Sequence, residues 1–383
     1  MDRVAHSLPL FYPLWLITAN LTARAGGMII LLILGHGFAA NQLGDYFAML
    51  AVIGLGVTAA QAGTGPLLIR LQQAGNCRWV LACVVLRGII ALGAILWIAV
   101  ETGTDTVTQY WPLLIMPITA ALSPDWIISA RTEFSRISMI ALMAQMAGIG
   151  IAAWAAHASN PDLLFAVAPA ISITSFIAAT LFVFNRATDQ QTAPLGITAP
   201  SRPTAFGMIG FTLLAGVLPN LDFVLLGSDT TLFLAQRIFL ICAAFLAAIS
   251  GALFAKQQPG HLRDIWLIAP MAAASLVLWI WPDGVAALIY AKPGDALITL
   301  LQTGALWPIL LALLSRQILI MQEQPSAIWI GWLCLCGMIV SAALLPAPAE
   351  PSDILILMQL RLALVLALFY VSGLKYLRRA VPS

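Results

Sequence analysis

Long apolar runs without charged residues recur along almost the whole sequence, and they limit the fold more than any other feature. A helix needs about 20 apolar residues to cross the hydrocarbon core of a bilayer. Here such runs are separated only by short clusters of charged residues, Pro, Gly or Asn. Hydrophobic residues make up 61% of the sequence and charged residues only 9%, whereas soluble domains contain about 25% charged residues. The sequence therefore predicts an all-α integral membrane protein, because helices satisfy their own backbone groups in lipid.

The breaks between these runs divide the chain into twelve predicted spans. We place them at 11–35, 44–69, 79–100, 109–130, 136–156, 162–184, 206–228, 230–254, 264–281, 295–319, 326–346 and 353–374. Between the ninth and tenth spans, Pro282, Pro293 and Gly294 interrupt the apolar pattern. The stretch 282–294 is therefore compatible with a short interfacial helix.

The basic residues test this count of spans. If the N-terminus is cytoplasmic and the spans alternate, thirteen basic residues fall on the cytoplasmic side and only Lys292 falls on the other. The thirteen are Arg3, Arg70, Arg78, Arg131, Arg136, Arg186, Arg202, Lys256, Arg263, Arg316, Lys375, Arg378 and Arg379. This asymmetry is what the positive-inside rule predicts for short loops. It favours twelve spans with the N- and C-termini both in the cytoplasm.

The longest polar stretch, 185–205, falls between the sixth and seventh spans and is rich in Pro, Thr and Gln. Such a composition is typical of a linker, and transporters are often built from two repeated halves. We therefore predict an N-terminal six-helix lobe at 1–184, a cytoplasmic linker at 185–205 and a C-terminal six-helix lobe at 206–383.

Several classes of function find no support in the sequence. No P-loop, HExxH, GxSxG or dinucleotide-binding fingerprint is present, and no loop is long enough to fold as a separate domain. The five cysteines lie in or beside apolar segments, without a C-x-x-C pair or a His at ligand spacing. The net charge of +2 gives no reason to expect a nucleic-acid partner. We expect no catalytic residues, no metal site and no cofactor.

Four arginines fall inside predicted spans: Arg24, Arg87, Arg237 and Arg361. A charge in the hydrocarbon core costs at least about 2.5–3.5 kcal/mol, so such residues normally face a cavity or a partner. Arg24 lies near the middle of the first span and shares one helix face with Asn20 and Gly27. It is a candidate for binding an anion in a cavity, or for pairing with a neighbouring helix. Arg87 lies nearer the cytoplasmic end, where its side chain can reach the interface.

Asp222 and Arg237 lie at similar depths in the seventh and eighth spans, about 10 Å below the outer surface at roughly 1.5 Å of rise per residue. One interpretation is a structural salt bridge between adjacent helices. The other makes Asp222 a proton- or cation-responsive switch that releases Arg237. Pro219 and Asn220 precede Asp222 and can break the helix, as transporter sites often require.

Arg361 lies in the middle of the last span, with Gln359 nearby and no acidic partner in its own helix. Whether it is a cavity cation or a structural residue stays open. On the fifth span, Ala141, Gln145 and Gly148 form a small, slightly polar face. Close helix packing accounts for that face without a ligand.

Four stretches of the chain resemble the polysaccharide and O-antigen flippases (Wzx-type) of the multidrug/oligosaccharidyl-lipid/polysaccharide exporter superfamily. GDYFAMLAVIGLGVTAAQAGTGPLLIR at 44–70 is similar to the second helix of that family. SPDWIISARTEFSR at 123–136 is similar to the end of its fourth helix and the following loop. NLDFVLLG at 220–227 resembles the end of its seventh helix, and ALIYAKPGDALITLLQTGALWPIL at 287–310 resembles its tenth.

The resemblance implies two six-helix lobes around a V-shaped cavity, and export of a lipid-linked oligosaccharide or polysaccharide precursor across the bacterial inner membrane by alternating access. The substrate would be a glycan on a polyprenyl pyrophosphate, and a glycan polymerase is an expected partner besides membrane lipids. Arg24, Arg237 and Arg361, with Asn20 and Gln359, would bind the pyrophosphate or an acidic sugar. Asp222 and Asn220 would link opening to an ion gradient.

Two other functions stay open. A cation-coupled small-molecule or drug antiporter of the same superfamily would have a cavity richer in acidic than in basic residues. Here the intramembrane arginines outnumber the acids, which favours an anionic substrate. An integral-membrane glycan-modifying enzyme would carry a large outer loop or a clustered His/Asp/Arg site, and the sequence shows neither.

Overall fold

The computed structural model describes residues 25–102, 110–131, 133–185, 199–227, 229–256, 260–321, 328–344, 348 and 350–380. Every regular element within these ranges is helical. Arg24 and Asn20, the polar residues predicted on the first span, lie outside the described residues, and so does most of the predicted linker.

Eight of the twelve predicted spans are single stretches long and apolar enough to cross a bilayer. Their helices are Ala40–Ala60 and Gly65–Gln73 in the second span, Cys77–Thr102 in the third, Trp111–Leu114, Ile115–Leu122 and Asp125–Ala130 in the fourth, Phe134–Ala158 in the fifth, Pro161–Leu163 and Leu164–Phe184 in the sixth, Thr230–Lys256 in the eighth, Asp295–Thr303 and Trp307–Met321 in the tenth, and Pro351–Ala380 in the twelfth.

Helices also occupy the other four predicted spans. They are Ala25–Gly37 in the first, Arg202–Val217 and Leu221–Leu226 in the seventh, Gly260–Ile280 in the ninth and Ile328–Leu344 in the eleventh. A further helix, Pro282–Ile289, bends by 96° from the ninth span and corresponds to the predicted interfacial helix. Each predicted span thus coincides with a helix or a broken helix in the described part of the chain, and the predicted fold class is confirmed.

Turn-forming residues end the helices where the sequence predicted breaks. The turn between the second and third spans has Gly75 at φ +70°, a conformation that glycine adopts without strain. The fifth span ends at Ser159, which is left-handed with φ +48°. The seventh span begins after Ser201, whose side chain accepts a hydrogen bond from Thr204 N–H at 3.4 Å.

The two halves meet at both ends of the bundle, through different contacts. At one end, Ala205 and Ile209 of the seventh span pack against the apolar cluster that includes Leu67 and Leu68 of the second. We call the linker side the end at which the second, fourth and sixth spans finish and the seventh begins. There Gln73 Nε2 donates to Ala130 O at 3.2 Å, joining the second and fourth spans within the N-terminal half. The opposite side carries the turns that join the first span to the second and the fifth to the sixth.

On the opposite side, the two halves approach each other at very short distances. Ala291 N–H donates to Gly35 O at 3.1 Å. A Cβ atom at Gly44 would lie 2.4 Å from Thr230 Cβ, so only glycine allows the second and eighth spans to pack this closely. We call these two contacts, Gly35–Ala291 and Gly44–Thr230, the seam.

Three of the broken spans are stabilised by long polar side chains from neighbouring helices. A break exposes backbone carbonyls, which must find partners because the bilayer core offers no water. In each case a donor from the next or a nearby span binds a carbonyl at the break. The three contacts are Arg87 Nε to Gln61 O (3.1 Å), Gln236 Nε2 to Pro219 O (3.1 Å) and Gln359 Nε2 to Thr303 O (2.8 Å).

The contact of Arg87 corrects the expectation that its charge reaches the interface. Arg87 is 4% exposed, and its Nε also donates to Thr64 Oγ1 at 2.7 Å. The break at the end of the Ala40–Ala60 helix provides these oxygens inside the bundle, and binding them replaces hydration of the guanidinium.

We predict that Gln359→Leu destabilises the fold, because Thr303 O loses its donor from the twelfth span. An unsatisfied buried carbonyl costs about 1–3 kcal/mol, and the loss can be measured as the change in free energy of unfolding in mixed micelles. Gln302→Leu is the matched control, since Gln302 is exposed and its contact with Trp279 O is 3.5 Å long. Equal effects of the two substitutions would contradict the stabilising role of Gln359.

Candidate functional site

Two cavities lie between the halves of the bundle. The large cavity has a volume of about 710 Å³ and is lined by the second, fourth, fifth, seventh, eighth and tenth spans. Residues near the linker-side ends of these spans, such as Arg70, Gln73 and Ser129, line it. The large cavity therefore occupies the linker side, whereas the seam joins the halves on the opposite side.

The wall of the large cavity is mainly apolar. Leucines and isoleucines of the eighth and tenth spans, such as Leu240, Leu314 and Ile318, form much of it. Arg70 lines the same cavity, and its Nη1 donates to Gln73 Oε1 at 3.3 Å. An apolar wall with a guanidinium near one end suits an amphiphilic molecule.

The small cavity has a volume of about 240 Å³ and is lined by the first, second, fifth, sixth and eighth spans. Its polar wall includes Arg237 and Gln145. Leu240 and Ala244 of the eighth span line both cavities, so the two spaces adjoin along that helix. No Asp or Glu lines either cavity within the described ranges.

Arg237 is held in place by the opposite half of the bundle. Its Nη2 donates to Phe47 O at 2.8 Å, and its Cζ lies 4.9 Å from the centre of the Phe47 ring. Its Nε is buried and has no hydrogen-bond partner. Because no carboxylate of the described part of the chain pairs with it, its positive charge stays uncompensated beside the small cavity.

Asp222 pairs with Arg361 of the twelfth span, so the predicted Asp222–Arg237 salt bridge is wrong. Arg361 Nη1 donates to Asp222 Oδ1, and the two residues are 6% and 2% exposed. Depth in the bilayer could be derived from the sequence, but several helices offer residues at that depth. The short Leu221–Leu226 helix packs against the twelfth span, and this contact decides the partner.

Asn220 lies at the break of the seventh span, as predicted. Its Oδ1 accepts a hydrogen bond from Gln236 Nε2 at 2.9 Å. The same amide group binds Pro219 O, so the break is tied to the eighth span.

The structure brings only part of the predicted site together. Arg237 lines the small cavity, and so does Gly27, which was predicted to share a face with Arg24 and Asn20. Arg361 and Gln359, by contrast, line neither cavity: Arg361 pairs with Asp222 and Gln359 binds the broken tenth span.

Gln145 is a cavity residue that sequence reasoning missed. Its face on the fifth span was assigned to close helix packing, and this is correct: Gly148 packs against Ile171 and Ile30, and Gln145 packs against Gly26. The prediction did not include the additional position of Gln145 in the cavity wall. The one signal in the sequence for a cavity role was an amide side chain on an otherwise apolar helix face. Its significance depended on Arg237, which lies on a helix of the other half.

Comparison with known proteins identifies the fold. No family model matches the sequence, and no curated protein matches it. Solved structures do match over nearly the whole chain. The inward-facing conformation of a multidrug resistance MATE family transporter of the MOP superfamily has a TM-score of 0.58 and 12% identity, covering 94% of this chain and 96% of that one. The chain has the fold of the MATE transporters.

Two further structures with the MATE fold agree with this assignment. An outward-facing conformation of a multidrug resistance MATE family transporter has a TM-score of 0.56 and 13% identity, covering 96% of this chain and 97% of that one. A Vibrio cholerae MATE transporter has a TM-score of 0.59 and 14% identity, covering 97% and 96% of the two chains. This chain and the MATE transporters therefore share the fold over nearly their full lengths. Identities of 12–14% give no information about the substrate of this chain.

We predict strong energetic coupling between Asp222 and Arg361. Either Asp222→Asn or Arg361→Gln leaves one buried group without its partner, a loss of about 3–5 kcal/mol where a charge remains. The double variant removes both charges and should be less destabilised than the sum of the single variants, measured as unfolding free energies in mixed micelles.

The control for this cycle is another pair that joins two helices. Arg316 Nε lies 2.7 Å from Asp264 Oδ1, and both side chains are about one quarter exposed (24% and 26%). We expect a clearly smaller coupling there because water screens the charges. Additive effects at Asp222 and Arg361 would show that their contact is not a stabilising ion pair.

Proposed function

We propose that this protein is an alternating-access exporter that moves a lipid-linked oligosaccharide or polysaccharide precursor across the bacterial inner membrane. The MATE fold has been solved in inward- and outward-facing states, which supports the alternating-access part. The arrangement of this chain agrees with one such state, because its large cavity occupies the linker side and its seam joins the halves on the opposite side.

The positive charge of residues lining the two cavities is the main observation that supports an anionic substrate. Arginines line both of them, Arg70 in the large cavity and Arg237 in the small one. Within the described residues, neither cavity is lined by an acidic side chain. A cationic ligand would be repelled there, whereas a phosphate or a carboxylate would be bound by charge-assisted hydrogen bonds.

The apolar wall of the large cavity supports an amphiphile rather than a simple anion. A polyprenyl pyrophosphate has a hydrocarbon chain and a doubly phosphorylated head, which match an apolar wall and arginines respectively. We propose that Arg24 and Asn20 act with Arg237, because Gly27, predicted on their face of the first span, lines the small cavity.

Orientation follows from the distribution of basic residues. We propose that the linker side is cytoplasmic and that both termini lie there, since thirteen basic residues are predicted on that side and one on the other. A precursor assembled in the cytoplasm would then enter the large cavity from the linker side. The two six-helix lobes would rock to open the seam, and a glycan polymerase would be a partner on the far side.

For coupling to an ion gradient, we propose that Asp222 and Asn220 form the switch. Protonation of Asp222 would release Arg361, not Arg237, because Arg361 is the partner that the described structure provides. Since Asp222 follows the break at Asn220, loss of this ion pair would loosen the short helix of the seventh span from the twelfth. Substrate contact of Arg361 and Gln359 would require movement of the twelfth span, since neither lines a cavity.

A drug antiporter is the second candidate. It is favoured by the names of the similar structures, which are multidrug resistance transporters, and by the mainly apolar wall of the large cavity. Cation-dependent uptake of cationic dyes would support it. The arginines of the two cavities are the reason to rank the anionic substrate first.

The flipping of a fluorescent undecaprenyl-pyrophosphate glycan in proteoliposomes tests the proposed function, with a proton gradient on and off. We expect protein-dependent movement, abolished by Arg24→Gln and reduced about tenfold or more by Arg237→Gln, because each loses a charged contact with phosphate. Arg136→Gln removes the same charge from a residue that lines neither cavity and should flip normally. Wild-type rates in both cavity variants would overturn the arginine roles, and dye uptake without glycan movement would favour the antiporter.

Alternating access predicts that the seam must close in every cycle. We expect Gly44→Val to stop or strongly slow transport, because a side chain at position 44 would clash with Thr230 and hold the second and eighth spans apart. Gly93→Val is the matched control, since a Cβ atom at Gly93 has no neighbour within 4 Å. Full transport by a folded Gly44→Val protein would contradict alternating access through this seam.

A further inference from the structure

Two polar atoms beside the small cavity have no hydrogen-bond partner. Arg237 Nε is one, and Gln145 Oε1 is the other; both atoms are buried. The carboxamide of Gln145 makes no hydrogen bond within the described part of the chain. A buried polar group without a partner is costly in a medium of low dielectric constant. These two residues line the same cavity from the eighth and fifth spans.

The chemistry of the two groups defines what could satisfy them. A guanidinium only donates hydrogen bonds and stays charged, so its complement is an anion. A carboxamide accepts through its oxygen and donates through its nitrogen, so its complement is a group that can do both, such as a hydroxyl. A ligand that carries both a negative charge and a hydroxyl would therefore satisfy both residues.

The size of the cavity limits this ligand further. About 240 Å³ is less than the roughly 300–1,000 Å³ typical of sites for drug-sized molecules. The space suits a single polar unit, and not a whole oligosaccharide or a polyprenyl chain. The adjoining large cavity, which shares Leu240 and Ala244 with it, would hold the remainder of a larger molecule.

We propose that the small cavity binds one phosphorylated or carboxylated sugar unit, with Arg237 as the cation for its charge and Gln145 as the partner of its hydroxyl. The contact of Arg237 with Phe47 O and with the Phe47 ring orients the guanidinium for this task. The inference rests on the proposed function and names the part of the exported molecule that this site selects. Gln145 then determines specificity, because Arg237 alone would accept any anion.

Equilibrium binding to the full-length protein in nanodiscs tests the site, with glucose 1-phosphate, inorganic phosphate and methyl glucoside as probes. We expect the sugar phosphate to bind at least tenfold more tightly than inorganic phosphate, and the neutral glycoside to bind weakest. Arg237→Gln should weaken both phosphates tenfold or more. Gln145→Leu should weaken only the sugar phosphate, down to the level of inorganic phosphate. Arg136→Gln is the control and should bind like the wild type, since Arg136 pairs with Glu133 and lines neither cavity.

A labelling experiment keeps both proposed ligand residues intact and covers the case of a variant that fails to fold. Ala168 lines the small cavity and Ala215 the large one, so each is replaced by Cys in a background without native cysteines. Glucose 1-phosphate should slow the reaction of Ala168→Cys with a small thiol reagent at least fivefold and leave that of Ala215→Cys unchanged. Equal rates with and without ligand at Ala168→Cys would overturn the site.

The outcomes separate this site from the proposed function. Binding that depends on Gln145, in a protein that flips no lipid-linked glycan, would support the sugar-phosphate site and rule out the proposed export function. If the protein flips the glycan and Gln145→Leu still prefers glucose 1-phosphate over inorganic phosphate, the export function is supported and the proposed sugar-phosphate site is ruled out. Equal affinity of the wild type for inorganic phosphate and glucose 1-phosphate would mean a general anion site and would also overturn the role of Gln145.

Discussion

The absence of water from the bilayer core is the constraint on which the rest of this structure depends. Continuous helices satisfy it on their own, but transport folds need breaks, and every break exposes carbonyls. Arg87, Gln236 and Gln359 each bind a carbonyl at such a break. Three long polar side chains that could be mistaken for ligand-binding groups therefore stabilise the backbone. The few charged and amide residues of the spans must be divided between this task and binding.

This division gives a physical criterion for the function of an intramembrane residue. Arg361 has a carboxylate partner, and Arg87 binds a carbonyl and a hydroxyl and lines neither cavity. Arg237 has a carbonyl and an aromatic ring, but no carboxylate among the described residues. Its charge is thus partly solvated and not neutralised. A binding site needs that state, because a neutralised arginine would have to lose its partner before it could bind an anion.

The sequence was sufficient for features that depend on one helix at a time. Apolar runs predicted the spans, and Pro219 and Asn220 predicted the break of the seventh. The bend at Pro282 also followed from local composition. Features that depend on two helices were harder to predict from the sequence. Depth in the bilayer predicted Arg237 as the partner of Asp222, but helix packing pairs Asp222 with Arg361. Gln145 does pack closely, against Gly26, but its place in a cavity wall with Arg237 could not be predicted, because it exists only once the fifth and eighth spans share that cavity.

Arg237 also links the small cavity to the contacts between the halves. It lies on the eighth span, lines the small cavity and donates to Phe47 O on the second span. A ligand shifts an equilibrium between two states only by binding one of them better. An anion that draws Nη2 away from Phe47 O removes a contact between the second and eighth spans, the same two spans that Gly44 and Thr230 bring together at the seam. An anion that binds through Nε alone leaves that contact in place. Which nitrogen the ligand takes therefore determines whether binding favours the closed or the open seam.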